Sequence, residues 1–257
     1  MGRSPRYRTQ RDGVLVVDKP VGVSSADVVR AVRFGAGDCK TGHAGTLDPL
    51  ASGVLVCCLG AATKLSDRLM AGVKAYETEV DLAAFTTTDD REGERAEVAI
   101  DPGGRPDAAR LREALSGFVG VIDQTPPAYS AAHVGGRRAY ALARRGEAVE
   151  LEPRRVRIDA IDLVSLDWPI ARLVVTCGKG VYIRSLARDL GVAMGTGGHL
   201  ASLRRTRVGP FTIEGARPMS TIEPDSLVDD DLLSMARVEA MLAAAADDQS
   251  SSGGALP

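Results

Sequence analysis

The chain of 257 residues has no asparagine, five lysines, three histidines and one tryptophan, and aromatic side chains make up 4% of it. Each scarcity excludes something. The four cysteines, Cys39, Cys57, Cys58 and Cys177, form no CxxC pair. His43, His133 and His199 stand far apart with no cysteine beside them, so neither a structural metal site nor a disulfide framework is expected. Cys57 and Cys58 lie in GVLVCCLG and read as small apolar residues of a buried strand. No apolar run approaches the roughly 18 residues of a membrane span. The start, MGRSPRYRTQRDG, is basic but lacks the apolar stretch of a secretory signal, so a cytoplasmic protein without membrane association is expected.

With 44% hydrophobic and 26% charged residues, the chain can bury a large core as one domain or as one domain with appendages. Its net charge of −2 is unevenly spread: from Ser220 onward eight acids face Arg237 alone, a balance of −7, which leaves +5 on residues 1–219. Arginine outnumbers lysine 27 to 5, a bias that GC-rich codon usage explains as well as any function. The arginines nonetheless cluster in RRAYALARR, EPRRVR and LRRTR, a pattern that suits a phosphate-facing surface and equally a solvated face.

Along the chain, residues 1–11 read as a basic mobile arm and GVLVVDKP as a buried strand ended by Pro20. Ser24 or Ser25 can cap the helix ADVVRAVRF. GVLVCCLG is expected to be a central strand, ATKLSDRLMA a helix, and KAYETEVDLA a half-buried strand. TTTDDREGERAE reads as a surface loop and DAARLREALSGFVG as a helix with a closing glycine. QTPPAYSAAHVGGRRAYALARRG should begin extended, turn at Gly135 and Gly136, and continue as a basic helix. VRIDAIDLVSL and ARLVVTCGKG suggest adjacent antiparallel strands, YIRSLARDLGVAM an amphipathic helix, and ASLRRTRVGPFTI a further strand. After about residue 220 come an acidic, alanine-rich helix and a tail, DDQSSSGGALP, of disordered composition. The mixture lacks a regular strand and crossover-helix alternation, which favours an α+β fold with a mainly antiparallel sheet.

Motifs for common chemistries fail on inspection. GAGDCKTG has Cys39 where a phosphate-binding loop needs glycine, GTGGHL lacks the spacing of a dinucleotide motif, and no serine has GxSxG context. The stretch GHAGTLDPLASG is different. Pro49 holds Asp48 out of the helical region, and Gly42 and Gly45 allow the backbone to bend close to a ligand, although an aspartate before proline also commonly caps a turn.

Six separated motifs, in order, then carry a resemblance. DGVLVVDKPVGVSSADVV, TGHAGTLDPLASGVLVCCLGAATKL, KAYETEV, PPAYSAAHVGGRRAYALARRGE, GKGVYIRSLARDLG and GGHLASLRRTRVGPF together resemble the TruB family of tRNA pseudouridine synthases, from about Asp12 to Phe211. The resemblance implies an isomerase that converts the T-loop uridine at position 55 of tRNA to pseudouridine without metal, nucleotide or redox cofactor. It implies a central, mixed, mainly antiparallel sheet flanked by helices and loops around a basic cleft. Asp48 would be the catalytic carboxylate, either attacking ribose C1′ or taking the C2′ proton, and Arg184 would orient it. Tyr76 would stack on the flipped-out base, His43 would stand in the space the base leaves, Tyr182 would contact the uridine, and Leu203 would wall the pocket. Arg137, Arg138, Arg144, Arg145, Arg204, Arg205 and Arg207 are candidates for phosphate contacts with the T-arm, and Lys19 and Pro20 for support of the catalytic loop.

The pattern departs from the family at His133, where lysine is usual, and no role is carried over to it. The 46 residues after Phe211 are too few and too acidic for a complete RNA-binding domain of the PUA type. The organisation expected is therefore a mobile arm, a catalytic domain over residues 12–219 and an acidic C-terminal appendage over 220–257. The enzyme is expected to act as a monomer without an obligate protein partner. Two readings compete: a module that only binds or folds RNA, which would have no use for an oriented buried carboxylate, and a glycosidase, which usually needs a second carboxylate at a set distance.

Overall fold

GVLVVDK is apolar almost throughout, and a strand of that kind is stable only with both faces covered. The computed structural model, which describes residues 7–130, 133–134, 137–138 and 151–252, bears this out. The chain divides into two units: one holds the chain up to Lys74 and again from Arg204 onward, the other Ala75–Leu203.

In the first unit, β1 (Gly13–Lys19) leads into α1 (Ser25–Gly35), β2 (Thr41–His43) and β3 (Ser52–Leu59). Of the two candidate caps it is Ser24 that caps α1: its hydroxyl accepts from the Asp27 N–H while the Asp27 carboxylate accepts from the Ser24 N–H. That leaves Ser25 available for the loop before β3. Val28 and Val32, one helical turn apart, bury completely. β3 runs antiparallel to β1 from Gly13↔Leu59 to Lys19↔Gly53, and β2 pairs antiparallel along its far end. The single helix expected over ATKLSDRLMA is instead a 3₁₀ turn, Gly60–Leu65, followed by a short α2 (Ser66–Ala71). Ala62 and Leu65, both buried, lie three residues apart, the repeat of a 3₁₀ helix, and only Leu65 and Leu69 have the α spacing.

The second unit takes in nearly all of β4 (Lys74–Asp81), in which Tyr76, Thr78 and Val80 are buried and Glu77 exposed. The expected surface loop that follows is a small hairpin of β5 (Ala84–Thr86) and β6 (Arg95–Glu97), with Asp90 buried at its turn. Asp90 tolerates burial because the Thr88 hydroxyl donates to its Oδ1 at 2.6 Å and the Glu92 N–H at 3.0 Å. α3 (Ala108–Ser116) is capped by Asp107 and followed by β7 (Gly120–Gln124). β8 (His133–Val134) and β9 (Arg137–Arg138) pair antiparallel, and Gly135 and Gly136, where the turn is expected, lie outside the described residues. The basic helix expected next, with Arg144 and Arg145, lies outside the described residues. β10 (Arg154–Asp167) pairs antiparallel with both β7 and β11 (Ile170–Cys177), then α4 (Ile183–Met194) leads to β12 (His199–Val208).

Past Arg204 the chain is back in the first unit. β12 pairs parallel with β3 through Arg204↔Ser52 and Arg205↔Gly53, then turns at Gly209 into β13 (Phe211–Thr212), so RRTRVGPFTI is two strands rather than one. β14 (Arg217–Pro218) runs parallel to β1, giving the order β14-β1-β3-β12. α5 (Met235–Ser252) continues beyond the point where composition suggested a tail. Val14, Val16, Val54, Val56, Leu69, Phe211 and Val238 share this unit's core, each such side chain contributing about 1.5–3 kcal/mol. The fold is thus α+β with a mixed, mainly antiparallel sheet.

Candidate active site

Asp48 and His43 belong to the first unit, at the two ends of the turn between β2 and β3. His43 closes β2 opposite Cys57, and the Ala44 N–H extends the pairing to the Val56 carbonyl at 2.9 Å. The chain then leaves the sheet through Gly45, whose φ of +93° suits glycine. Leu47 and Leu50 point inward, Asp48 is half-buried, and the Ala51 N–H donates to the Asp48 main-chain carbonyl at 3.1 Å.

Three buried side chains brace this turn by its backbone. Ser25 Oγ both donates to the Leu47 carbonyl and accepts from the Leu47 N–H, each at 2.8 Å. The ammonium of Lys19, which is fully buried, donates to the carbonyls of Val23 at 2.7 Å, Pro20 at 2.9 Å and Pro49 at 3.4 Å. Arg205, 3% exposed, donates through Nε to the Val54 carbonyl at 2.8 Å and through its terminal nitrogens to the carbonyls of Gly45 at 3.1 Å and Thr46 at 3.4 Å. The expectation that Arg205 contacts phosphate is corrected: its donors are turned into the protein and spent on β3 and on the turn that carries Asp48. Arg204 is likewise engaged, by both oxygens of Asp18 at 3.2 and 2.9 Å, whereas Arg207 is exposed, with Nε on the Gly209 carbonyl. Gly53 makes the close approach of Arg205 workable: a Cβ there would stand 2.2 Å from the Arg205 carbonyl oxygen.

The imidazole of His43 is held below its ordinary pKa, first by burial and then by the neighbouring Arg205 guanidinium. Its Nδ1 is buried and has no hydrogen-bond partner among the described residues. The ring is therefore an uncharged surface at neutral pH.

The other expected residues, Tyr76, Tyr182, Arg184 and Leu203, belong to the second unit. Tyr76 is 8% exposed on β4 and Leu203 9% exposed on β12, strands joined by the Thr78 hydroxyl donating to the Ser202 carbonyl at 2.8 Å. Tyr182 is the N-cap of α4, and Arg184 stands in its first turn. The Arg184 guanidinium is buried and donates to the carbonyls of Thr88 at 3.2 Å and Tyr129 at 2.9 Å, with Asp90 Oδ2 at 3.5 Å. One turn along, Arg188 links the same two segments, donating to Asp89 at 2.8 Å and to the Thr125 carbonyl at 2.9 Å. The arginine reading thus needed a partner that the sequence analysis missed. Asp90 sits in a polar run that reads as solvated, and its one visible signal is a threonine two residues before it that can satisfy a buried carboxylate.

Chemically, the first unit presents a carboxylate on a braced turn and a neutral imidazole at the start of that turn, and the second presents a buried guanidinium and two phenols. Among the described residues no group of three or more His, Cys, Asp or Glu side chains could hold a metal ion. No helix among them is long and apolar enough to cross a membrane.

Comparison with known proteins bears on the same residues. The family model for the N-terminal domain of TruB family pseudouridylate synthases matches residues 33–183, and that for the tRNA pseudouridylate synthase B C-terminal domain matches residues 184–251. A tRNA pseudouridine synthase B from Pseudomonas paraeruginosa is 46% identical over 226 residues, 87% of this chain and 72% of the relative. One from Thermobifida fusca is 47% identical over 225 residues, 84% of this chain and 76% of the relative. Among solved structures, a chain from a Cbf5-Nop10-Gar1 complex is similar with a TM-score of 0.64 and 27% identity; the match covers 85% of this chain and 59% of that one.

Proposed function

Since the chain belongs to the TruB family of pseudouridylate synthases, we propose that it isomerises the T-loop uridine at position 55 of tRNA to pseudouridine, in the cytoplasm and without a cofactor. In that reaction the bond between N1 and ribose C1′ breaks, the base turns, and C5 bonds to C1′. C5 loses its proton, N1 gains one, and nothing else is consumed.

Asp48 supplies the carboxylate, attacking C1′ or removing the C2′ proton, and Arg184 orients it. A stacked uridine is out of reach of any side chain, so it must first be flipped out, at a cost of about a few kcal/mol. Stacking on Tyr76 offsets roughly 1–3 kcal/mol of this. Tyr182 contacts the flipped base and Leu203 walls its pocket. His43 fills the space left in the T-loop. Its neutral ring can stack there without attracting a phosphate. Asp90 keeps the Arg184 guanidinium charge-balanced while buried.

The observation that carries this reading is the bracing of the Asp48 turn. Lys19, Ser25 and Arg205 converge on the main chain of residues 45–49, which is the support a carboxylate needs when it must meet one atom of a substrate. A protein that only binds RNA gains nothing from such rigidity at an acid.

The test is a T-arm transcript tritiated at uridine C5. Pseudouridine formation releases the label, binding alone retains it, and a glycosidase would leave an abasic site. Asp48→Asn is expected to abolish release while tRNA retention on a filter is unchanged; tritium release at the wild-type rate by this variant would refute the assignment.

A further inference from the structure

Tyr182 enters α4 in an extended conformation, φ −104° and ψ 111°, with no side-chain cap on the helix it begins. The residues just before it, Gly178-Lys179-Gly180, include a glycine at φ +86° and lend the approach little stiffness. The tyrosine main chain is held instead by a side chain 58 residues earlier: Gln124, at the end of β7 and 2% exposed. The Gln124 amide oxygen accepts from the Tyr182 N–H at 2.8 Å, and its amide nitrogen donates to the Tyr182 carbonyl at 3.1 Å. A primary amide both accepts and donates across this span, reproducing the exchange between two paired strand residues. A carboxylate could only accept, and an apolar side chain would leave the Tyr182 N–H unmatched. The next residue continues the attachment, since the Thr125 carbonyl accepts from Ser185 Oγ at 2.8 Å and from Arg188 at 2.9 Å.

We propose that Gln124 is a positioning residue for the isomerisation: its amide sets the main chain of Tyr182 and thereby the place of the phenol against the uridine. The proposal rests on the reading of Tyr182 as a group that touches the base. Gln124 itself touches no reacting atom and acts through the tyrosine.

Single-turnover tritium release from the T-arm transcript tests it in wild type, Gln124→Met, Tyr182→Phe and the double variant, with filter binding and the thermal midpoint measured for each. Gln124→Met is expected to slow release about 10-fold, to leave the dissociation constant within about 2-fold, and to slow Tyr182→Phe no further. Equal slowing in both backgrounds would overturn the proposal by showing that Gln124 acts elsewhere; so would a wild-type rate in Gln124→Met. Tyr182→Phe at the wild-type rate would sink the reading beneath it as well, a failure visible in that single variant alone. If the methionine variant does not fold, Gln124→Glu provides a second test. A protonated carboxyl accepts and donates as the amide does, and burial against a carbonyl raises its pKa. Its rate relative to wild type is therefore expected to climb as pH falls from about 8.5 to about 6, and a flat ratio would overturn the proposal.

Discussion

Replacing Arg205 by methionine removes the donors that hold the Asp48 turn while keeping most of the side chain's volume. Two of its bonds are short, to the Val54 carbonyl at 2.8 Å and the Gly45 carbonyl at 3.1 Å, and the third, to Thr46 at 3.4 Å, is long. Charge-assisted bonds of this kind contribute about 1.5–3 kcal/mol each, so loss of the short pair costs about 3–6 kcal/mol. Methionine also removes the penalty of keeping a guanidinium out of water, which offsets part of the loss. A net destabilisation of about 2–4 kcal/mol is expected, a fall of about 5–12 °C in the unfolding midpoint for a chain of this size. Because two of the three released carbonyls, those of Thr46 and Gly45, precede Asp48 by two and three residues, single-turnover tritium release should fall further than the lost folded fraction explains, with tRNA affinity little changed. Arg205→Lys keeps the charge, but a lone ammonium cannot serve carbonyls on both β3 and the turn, so it should recover about half of the stability. Urea unfolding of the three proteins alongside the release assay decides the matter. An Arg205→Met protein within about 0.5 kcal/mol of wild type that also turns over normally would refute the bracing argument.

Two other outcomes follow from the same neighbourhood. His43, followed by NMR, should titrate below the ordinary value of about 6.5. The unfolded chain then binds this proton more readily than the folded one, so His43 lowers stability as pH drops through about 6.5 and has no effect well above it. In Arg205→Met its pKa should rise yet stay below the ordinary value, because burial is the larger cause; an unchanged titration would mean that Arg205 is not felt there. Gly53→Ala would place a Cβ 2.2 Å from the Arg205 carbonyl at a φ of +103°, so circular dichroism and expression should report a protein that folds poorly or loses more than about 3 kcal/mol. A stable, active Gly53→Ala would show that β3 and β12 do not pair as described.

What could be read without coordinates was local. The apolar run of β1, the alternation in β4, the capped valine spacing of α1 and the pairing of β10 with β11 each follow from a few consecutive residues, whose period states which face is covered. Local reading failed where the period was ambiguous or the residues polar. Ala62, Leu65 and Leu69 fit a helix by count but split between two helical pitches. The run around Asp90 looked solvated because nothing within it shows that a buried arginine lies 94 residues ahead.

The site divides along the same line. The residue types at Asp48, His43, Tyr76, Tyr182, Arg184 and Leu203 follow from the order of short motifs, and so does the family of the chain. Which charges turn inward was decided only by folding. Arg205 and Arg207 are two residues apart in one basic cluster, yet one braces a turn that lies 159 residues away in sequence while the other faces solvent. Gln124 meets Tyr182 across 58 residues. A polar side chain can be buried only where distant backbone groups arrive to satisfy it, and their arrival is a property of the whole chain rather than of any stretch that can be read by itself.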